Sequence, residues 1–373
     1  MQLFFKALRK LGLSDAAYAA LSPFCGGKKN DMTAQAALTY LNTVSADTGG
    51  SSVRETPLVT ESRDTDLDVI IPCYNAEKYL GACIESVLSQ QTKYSLHIIA
   101  VNDGSTDDTK HILDAYAKDE RITVIHRENG GSAAARNTGL EHSTARYVYF
   151  LDSDDILLPG AVETLMNCAY DTGAGMVEGG YCIMSGDGEL KAAAAHNAGK
   201  MPAGESPKFA CGVVYRHELF QNIRFPEGYW YEDSLTSHVL LPEALKQGMT
   251  FFGVGESVFA YRVNLSGMTR FGRGRKKSLD ALWVHLRMYE DRKTLGIEDD
   301  KYYYDYMLRM VCLTYHRTEN LPEEVRRAVF AVWADFFGRN FNAFSTENVQ
   351  YKKLERSLRE HDYGRYCLFC GLN

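Results

Sequence analysis

The 373-residue sequence has no excess of basic charge and no long apolar run. Its 41 lysines and arginines are outnumbered by 48 acidic residues, which gives a formal net charge of −7 at pH 7. Such a balance offers no bulk attraction to nucleic acid. No stretch approaches the roughly 18 apolar residues of a membrane-spanning helix. Because Lys6, Arg9 and Lys10 follow the first apolar residues, we also expect no secretory signal peptide and predict a cytoplasmic location.

The sequence also lacks the cysteine pattern of a disulfide framework or a zinc site. Its nine cysteines are scattered and odd in number, and most lie in apolar surroundings, which predicts buried thiols in a reducing compartment. Cys367 and Cys370 form one CxxC pair, but no second pair completes a zinc ligand set. We therefore interpret this pair as packing residues.

An apolar run that ends in carboxylates is the most informative stretch of the chain. Residues 147–151 are mostly apolar, which predicts a parallel strand buried on both faces. Asp152, Asp154 and Asp155 follow at its carboxyl end, where open α/β sheets bind their ligands. Carboxylates this close repel one another, and a divalent cation that shares their oxygens relieves the repulsion. The stretch predicts a site for a metal and a diphosphate, and a solvated acidic turn is the alternative.

Residues 65–155 alternate strand and helix patterns, which predicts a parallel sheet with right-handed crossovers. We expect Pro72 to end the first strand, Asn75 to cap the following helix, and Ser105 with Asp108 to form a capping box. The predicted strands are 67–71, 95–101, 121–125 and 146–151, and the predicted helices are 76–90, 107–118 and one after Gly131.

Polar side chains follow each predicted strand and should therefore meet at one edge of the sheet. Asp103 is a suitable acceptor for an N–H group of a base, Tyr74 offers a ring face, and Arg136 is placed to reach a base or a phosphate. For Asp103 and Ser105, turn and cap chemistry is the alternative interpretation. The residues predicted at this edge are Tyr74, Asn75, Asp103, Asn129, Asp152 and Asp154.

Four segments resemble successive blocks of the family 2 glycosyltransferases, which have the GT-A fold. They are 68–75, 102–107, 129–139 and 151–155, and the resemblance covers roughly residues 67–270. It implies an inverting enzyme that uses a nucleotide sugar, usually a UDP-sugar, together with Mn²⁺ or Mg²⁺. It also implies that Asp154 and Asp152 ligate the metal. The nucleotide-sugar contacts that it implies are Pro72, Tyr74, Asn75, Asp103, Gly131, Arg136, Asp152, Ser153 and Arg262.

A second acidic pair, Glu232 and Asp233, follows the aromatic residues 229–231. Sugar transfer with inversion needs a carboxylate that takes the proton of the acceptor hydroxyl as its oxygen attacks C1, while a metal neutralises the leaving diphosphate. The resemblance implies that Asp233 is this base, with Glu232 as the fallback. The alternative is that both carboxylates favour the N-terminus of a helix predicted at 234–241. The aromatic residues are interpreted as sugar-stacking or as core.

The remaining segments are predicted to support this centre. Residues 185–207 are expected to form a loop, and 251–253 and 258–261 two strands. The segment 261–270 resembles the family's diphosphate-binding segment, although the chain has Gly267 where relatives place a serine and Ser266 one position earlier. The basic residues at 273–277 are interpreted as a solvated run or as a loop that closes on an anion.

We predict an α/β GT-A domain at 65–275, with a nucleotide-sugar half at 65–155 and an acceptor half at 156–275. An N-terminal helical extension with a linker occupies 1–64, and its amphipathic first helix either lies on a membrane surface or packs on the protein. Residues 276–373 are expected to be helical, with helices at 279–295, 301–317, 322–338 and 348–360 that complete the core, form a dimer or bind the acceptor.

The predicted activity is transfer of a sugar from a UDP-sugar to a glycan or lipid-linked acceptor. Nucleotidyl transfer on a sugar phosphate is a second hypothesis, but it normally requires a glycine-rich loop after the first strand, where this chain has Pro72 to Asn75. A non-catalytic carbohydrate- or nucleotide-binding scaffold is a third, and it would need neither Asp154 nor Asp233.

Overall fold

The structure is a computed structural model that describes residues 2–27, 29–58, 65–194, 197–207, 209–264 and 275–373. The described residues form two compact units. The larger unit comprises those within 48–267 and 287–297, and the smaller unit those within 1–47, 268–286 and 298–373.

A mixed β-sheet forms the centre of the larger unit. Its order is β3-β2-β1-β4-β9-β6-β10-β5, with β7 paired to β6 and β8 to β10. The strands β3, β2, β1 and β4 are mutually parallel, as the sequence predicts, and β9 joins β4 antiparallel. The strands are β1 (Leu67–Cys73), β2 (Leu96–Asp103), β3 (Ile122–Arg127), β4 (Tyr147–Phe150), β5 (Ile156–Leu157), β6 (Met176–Met184), β7 (Leu190–Ala194), β8 (Gly199–Lys200), β9 (Val213–Arg216) and β10 (Phe251–Arg262).

Helices pack against this sheet and bury its apolar side chains. Val69, Ile70 and Ile71 on β1 are all buried, although they point alternately to the two faces, so both faces are covered. Gly139 allows the close approach of α6 to β1, because a Cβ atom there would lie 2.4 Å from Cγ2 of Ile70. The helices of the larger unit that are used below are α4 (Leu80–Leu88), α5 (Thr109–Tyr116), α6 (Ser132–His142), α7 (Ala161–Thr172) and α8 (Leu241–Lys246), numbered after α1 to α3 of the smaller unit.

The predictions for the first strand and its loop need correction. Pro72 does not end β1, because the strand continues to Cys73 beside β2, while the neighbour on the other side, β4, has already ended opposite Ile70. Asn75 does not cap a helix, since α4 begins only at Leu80. Its side chain instead accepts a hydrogen bond from the backbone N–H of Thr106 at 2.8 Å.

The predicted capping box is also wrong. Helix α5 begins at Thr109, and Asp108 precedes it without a capping hydrogen bond from its side chain. The hydroxyl of Ser105 accepts from the backbone N–H of Asn75 at 3.1 Å. The polar residues after β1 and β2 therefore join two loops to each other instead of starting helices.

Three later segments differ from the prediction. The expected loop at 185–207 contains the short strands β7 and β8, and the two strands expected near 251–261 form one strand, β10, with an irregular register against β6. The helix predicted at 234–241 is a 3₁₀ turn at Glu232–Ser234, a π-helical turn at Thr236–Leu240 and then α8. A π-helical turn is uncommon and is often found at functional sites.

The smaller unit is helical. Phe5 and Leu8 on α1 pack against Leu368 and Leu372 on the last helix, whereas Leu11 just after α1 is 69% exposed, and a membrane contact stays a prediction. Among the described residues, no helix combines the length and apolar character needed to cross a membrane. The helices are α1 (Gln2–Lys10), α2 (Ser14–Cys25), α3 (Ala34–Val44), α9 (Asp280–Thr294, shared between the units), α10 (Lys301–Thr318), α11 (Glu323–Asn340), α12 (Val349–Arg359) and α13 (Tyr363–Leu372).

The CxxC cysteines lie on α13, and one of them has a packing role as predicted. Cys370 is buried, and its Sγ lies 3.7 Å from Sγ of Cys312 on α10. Both thiols are free.

Candidate active site

The loops after β2 and β3 are joined through Asp103. Its buried carboxylate accepts hydrogen bonds from the backbone N–H groups of Gly130 at 3.0 Å and Gly131 at 2.7 Å. Nε of Arg127 lies 3.2 Å from the same carboxylate. Gly104 beside it has φ +70°, and a Cβ atom there would lie 2.7 Å from the backbone nitrogen of Asn129. Asp103 therefore fixes the glycine turn that begins α6.

The loop after β1 presents the ring of Tyr74 at this edge. Asn75 adopts a left-handed backbone conformation, with φ +47°, which its bonds to Ser105 and Thr106 hold in place. Tyr74 beside it is 52% exposed, so its ring remains accessible to a planar ligand. The contacts with a nucleotide predicted for Pro72, Tyr74 and Asn75 remain predictions.

Three aspartates crowd the turn after β4. The backbone N–H of Asp155 donates to the carbonyl of Asp152 at 2.9 Å, which closes the turn around Ser153. Burial, and then the charge of Asp152, raise the pKa of Asp154 above its ordinary value. The same two causes, with Asp154 as a third, raise the pKa of Asp155 well above its ordinary value. The carboxylates therefore repel one another, as the sequence predicts.

Arg262 at the end of β10 holds this turn. Its backbone N–H donates to the carboxylate of Asp155 at 2.8 Å, and its Nε donates to the carbonyl of Asp154 at 2.7 Å. The guanidinium is buried and stacks 4.4 Å from the ring centre of Tyr79. Arg262 therefore has a structural role, and the phosphate contact predicted for it remains a prediction. Ser266, Gly267 and residues 273–274 of the basic run lie outside the described residues.

The donor set of the acidic turn fits a hard divalent cation only in part. Within the described residues, Asp152, Asp155 and Cys211 bring ligand atoms within 4.8 Å of one another. Carboxylates suit Mg²⁺ and Mn²⁺, whereas a thiol does not. Burial, and then the charge of Asp152, raise the pKa of Cys211 well above its ordinary value, which keeps it protonated. The aspartates fit the cation and Cys211 does not.

Arg136 brings the two acidic clusters of the sequence together. Its Nη2 donates to Asp152 at 2.9 Å and its Nη1 donates to Glu232 at 2.6 Å. Burial opposes the positive charge of Arg136, but Asp152 and Glu232 outweigh it and raise its pKa, and Asp233 acts in the same direction. The turn at Glu232 and Asp233 therefore lies beside the carboxylates after β4, although Glu232 is 96 positions from Arg136 in the chain.

The residue after Arg136 binds the same segment at another point. The side-chain amide of Asn137 donates to the carbonyl of Phe225 at 2.8 Å and accepts from its N–H at 2.9 Å. The ring of Phe225 lies against Arg136, 5.3 Å from the guanidinium carbon. Consecutive residues of α6 thus hold the acceptor-side segment at Phe225 and at Glu232.

The aromatic residues before the acidic pair have different environments. Tyr229 is buried, and its hydroxyl accepts from the backbone N–H of Gly49 at 2.9 Å, so the core interpretation applies to Tyr229. Trp230 and Tyr231 are half-buried, and sugar stacking stays a prediction for them. Tyr231 has φ +68°, an uncommon conformation for a non-glycine residue.

The sequence prediction did not include several residues that shape the site. Asn137 lies in the segment 129–139, but no role was predicted for it. Asn264 donates to the carboxylate of Asp154 at 3.1 Å, and the ring of Phe225 packs against Arg136. Asn137 and Asn264 lie in the segments 129–139 and 261–270 that carry the resemblance, but side-chain pairs across the fold leave no local pattern, so the sequence does not predict these contacts.

Comparison with known proteins agrees with the resemblance in the sequence. The family described as "Glycosyl transferase family 2" matches residues 68–201. Glycosyltransferase GlyA of Streptococcus pneumoniae serotype 4 is 32% identical over 246 residues, and GlyG of the same strain is 32% identical over 192 residues. The matches cover 61% and 46% of this chain but 33% and 64% of those relatives, so the chain spans less than two thirds of either.

Two further comparisons extend over more of the matched proteins. The crystal structure of residues 1–349 of S. aureus TarS in complex with UDP-GlcNAc has a TM-score of 0.58 at 16% identity, over 81% of this chain and 89% of that one. This likeness shows the fold, the GT-A type that the sequence predicts. The putative teichuronic acid biosynthesis glycosyltransferase TuaG of Bacillus subtilis is 34% identical over 203 residues, which is 53% of this chain and 79% of that protein. The chain therefore belongs to glycosyl transferase family 2.

Proposed function

We propose that this protein transfers a sugar from a UDP-sugar to a glycan or lipid-linked acceptor with inversion at C1. The observation that carries the proposal is the position of Arg136 between Asp152 and Glu232. This guanidinium lies between the carboxylates after β4, which we assign to the donor side, and Glu232, which belongs to the pair that we assign to the acceptor side. Support for a UDP-sugar donor comes from TarS, which was solved with UDP-GlcNAc. Support for a role in polysaccharide biosynthesis comes from TuaG, which is named for teichuronic acid biosynthesis.

We propose that the nucleotide lies along the carboxyl edge of β1, β2 and β4. Tyr74 would stack on the base, Asp103 would accept from an N–H of the base with its remaining lone pairs, and the backbone of Gly131 would line the same wall. Pro72, Asn75 and Ser153 shape the loops around it. The exposed ring of Tyr74 and the glycine turn fixed by Asp103 support this arrangement.

Asp152 and Asp154 would hold a Mn²⁺ or Mg²⁺ ion, because they retain solvent access whereas Asp155 is 1% exposed and accepts from Arg262. When bound, the ion supplies positive charge to the leaving diphosphate. The raised pKa values of Asp154 and Asp155 agree with a site that gains from added positive charge.

Asp233 is proposed as the general base. It would accept the proton of the acceptor hydroxyl while that oxygen forms the bond to C1 and the bond from C1 to the diphosphate oxygen breaks. Glu232 is the weaker candidate, because it is 5% exposed and its carboxylate is already bound at 2.6 Å by Nη1 of Arg136, which leaves it poorly accessible to an acceptor hydroxyl.

A panel of nucleotide sugars tests this function. We expect UDP and at least one UDP-sugar to raise the melting temperature with Mn²⁺ or Mg²⁺ present, and slow hydrolysis of that UDP-sugar. Asp154→Asn should reduce the stabilisation by UDP in metal and leave it unchanged in chelator, while the exposed control Asp114→Asn should behave as wild type. Equal stabilisation by all nucleotides, or none by UDP, would contradict the proposal.

A further inference from the structure

Arg136 is placed by elements that are fixed independently of the acidic side chains. It lies on the second turn of α6, whose first turn begins at the glycines held by Asp103. One turn later, Gly139 seats the helix directly on Ile70 of β1. The backbone of Arg136 is therefore fixed relative to the sheet edge. Its guanidinium in turn fixes the groups that it binds relative to the same edge.

Each terminal nitrogen of Arg136 is bound to a different carboxylate. Nη1 donates to Glu232 and Nη2 to Asp152, at 2.6 and 2.9 Å. The side chain is 5% exposed, with the ring of Phe225 against the guanidinium. A guanidinium committed in this way is poorly placed to bind a base or phosphate as well, in contrast to the nucleoside contact that the resemblance implies.

The turn that carries the acidic pair needs an external restraint. Tyr231 has a left-handed backbone, at φ +68°, immediately before Glu232, and such strain persists only where the surroundings fix it. In the described contacts, α6 is attached to this segment through Arg136 at Glu232 and through Asn137 at Phe225 and at Glu227. Only the first of these lies at the acidic pair itself.

We propose that Arg136 is a positioning residue that fixes the Glu232–Asp233 turn relative to Asp152 and so aligns Asp233 for transfer without binding the nucleoside. Glu232 is then the anchor of the turn. This inference rests on the proposed function, because it assigns the base to the residue next to that anchor.

The test separates binding from turnover. In Arg136→Met we expect kcat to fall about 10²-fold, as for a misplacement of about 1 Å, while the Kd for UDP with Mn²⁺ changes less than about threefold. Arg136→Lys should recover part of kcat, because an ammonium keeps the charge but not the two-pronged contact. The control Arg121→Met, which removes an exposed arginine paired with Asp119, should leave both values unchanged.

Arg136→Met leaves the buried carboxylate of Glu232 without its partner, which can impair folding. A double variant tests the same link without this unpaired charge. Arg136→Met with Glu232→Gln removes both buried charges, and its kcat should be no lower than that of Arg136→Met alone, because both changes break one link. A loss of kcat in the double variant equal to the product of the two single-variant losses would contradict the proposed link between Arg136 and Glu232. A loss of UDP affinity as large as the loss of kcat would make Arg136 a donor contact and overturn the inference.

Failure of the proposed function gives a different result. If the proposed function is wrong, the wild-type protein shows no metal-dependent UDP binding and no turnover. If only this inference is wrong, the wild type is active and Arg136→Met weakens UDP binding.

Discussion

At the scale of single residues, the aspartates of this chain divide by what surrounds them. Asp68 at the start of β1 is buried, and its carboxylate accepts hydrogen bonds from the hydroxyl of Ser143 at 2.7 Å and the N–H groups of Thr144 and Ala145 at 2.9 and 3.0 Å. Asp154 and Asp155 are crowded by like charge instead. The carboxylate of Asp68 is stabilised by the hydrogen bonds that it accepts, whereas burial and neighbouring negative charge disfavour the ionised forms of Asp154 and Asp155.

The pKa of Asp68 gives a stability prediction with a defined sign. Burial alone would raise this pKa, but the hydrogen bonds from His97, Ser143 and Ala145 outweigh it and the net pKa is lowered. A lowered folded-state pKa stabilises the protein at pH values above the unfolded pKa of about 3.9, and the contribution is lost as the pH falls through the folded value. The ionised carboxylate therefore contributes fully at pH 7.

We expect Asp68→Asn to lower the free energy of unfolding at pH 7 by about 1–3 kcal/mol, and the difference from wild type should shrink below about pH 4. Urea unfolding at pH 7 and at lower pH measures both. Asp114→Asn, at an exposed carboxylate paired with Lys110, is the control and should change little. A deficit that stays constant with pH would show that the charge of Asp68 has no such role.

Asp152 and Glu232 show which features of the site the sequence predicts and which it does not. Asp152 and Glu232 were both selected from local motifs, because carboxylates after a buried strand and after an aromatic run are visible in the sequence. Their link through Arg136 was not predicted, since the partners lie 16 and 96 positions away. Local pattern identified the charged groups, and only the fold shows which of them are paired.

At the scale of elements, the strands were predictable where the apolar run was long. The parallel strands β1 to β4 agree with the predicted spans within about two residues at most ends, because parallel strands buried on both faces leave continuous apolar runs. Helix α13 was not predicted. Its residues Tyr363–Leu372 include two glycines and are buried nearly all round, so they show no amphipathic period.

The helix caps predicted in the loops after β1 and β2 are wrong for a different reason. Asparagine, serine and aspartate favour helix caps and also favour loop-to-loop hydrogen bonds. Asn75 and Ser105 bond to each other's loops instead of to a helix N-terminus. Which option wins depends on the neighbouring strand, which local sequence does not specify.

Two glycines inside helices give an element-scale prediction of opposite sign. Gly139→Ala on α6 should destabilise the protein by about 1–3 kcal/mol, because its Cβ would lie 2.4 Å from Cγ2 of Ile70. Gly338→Ala on α11, where the Cβ meets no described atom within 4 Å, should stabilise by about 0.5–1 kcal/mol through helix propensity. Urea unfolding followed by circular dichroism measures both. A gain in stability for Gly139→Ala would contradict the close helix–strand contact.

At the scale of the whole molecule, the larger unit contains every residue of the proposed chemistry. The parallel strands supply the acidic turn and the glycine turn, and the segment between β9 and α8 supplies Glu232 and Asp233. The described part of the smaller unit packs around its own apolar contacts, such as those of Phe5 with Leu368 and Leu372. We therefore expect the determinants of donor binding and of proton transfer to lie between residues 65 and 264.

Asp233 is proposed to act on the acceptor, across from a donor held at Asp152 and Asp154. The most direct measurement is UDP affinity and turnover, both with Mn²⁺, for Asp233→Asn beside Glu232→Gln. We expect Asp233→Asn to keep its UDP affinity within about threefold and to lose turnover by about 10²–10⁴-fold, with a smaller loss for Glu232→Gln. Near-wild-type turnover in Asp233→Asn, or loss of UDP binding in that variant, would contradict it.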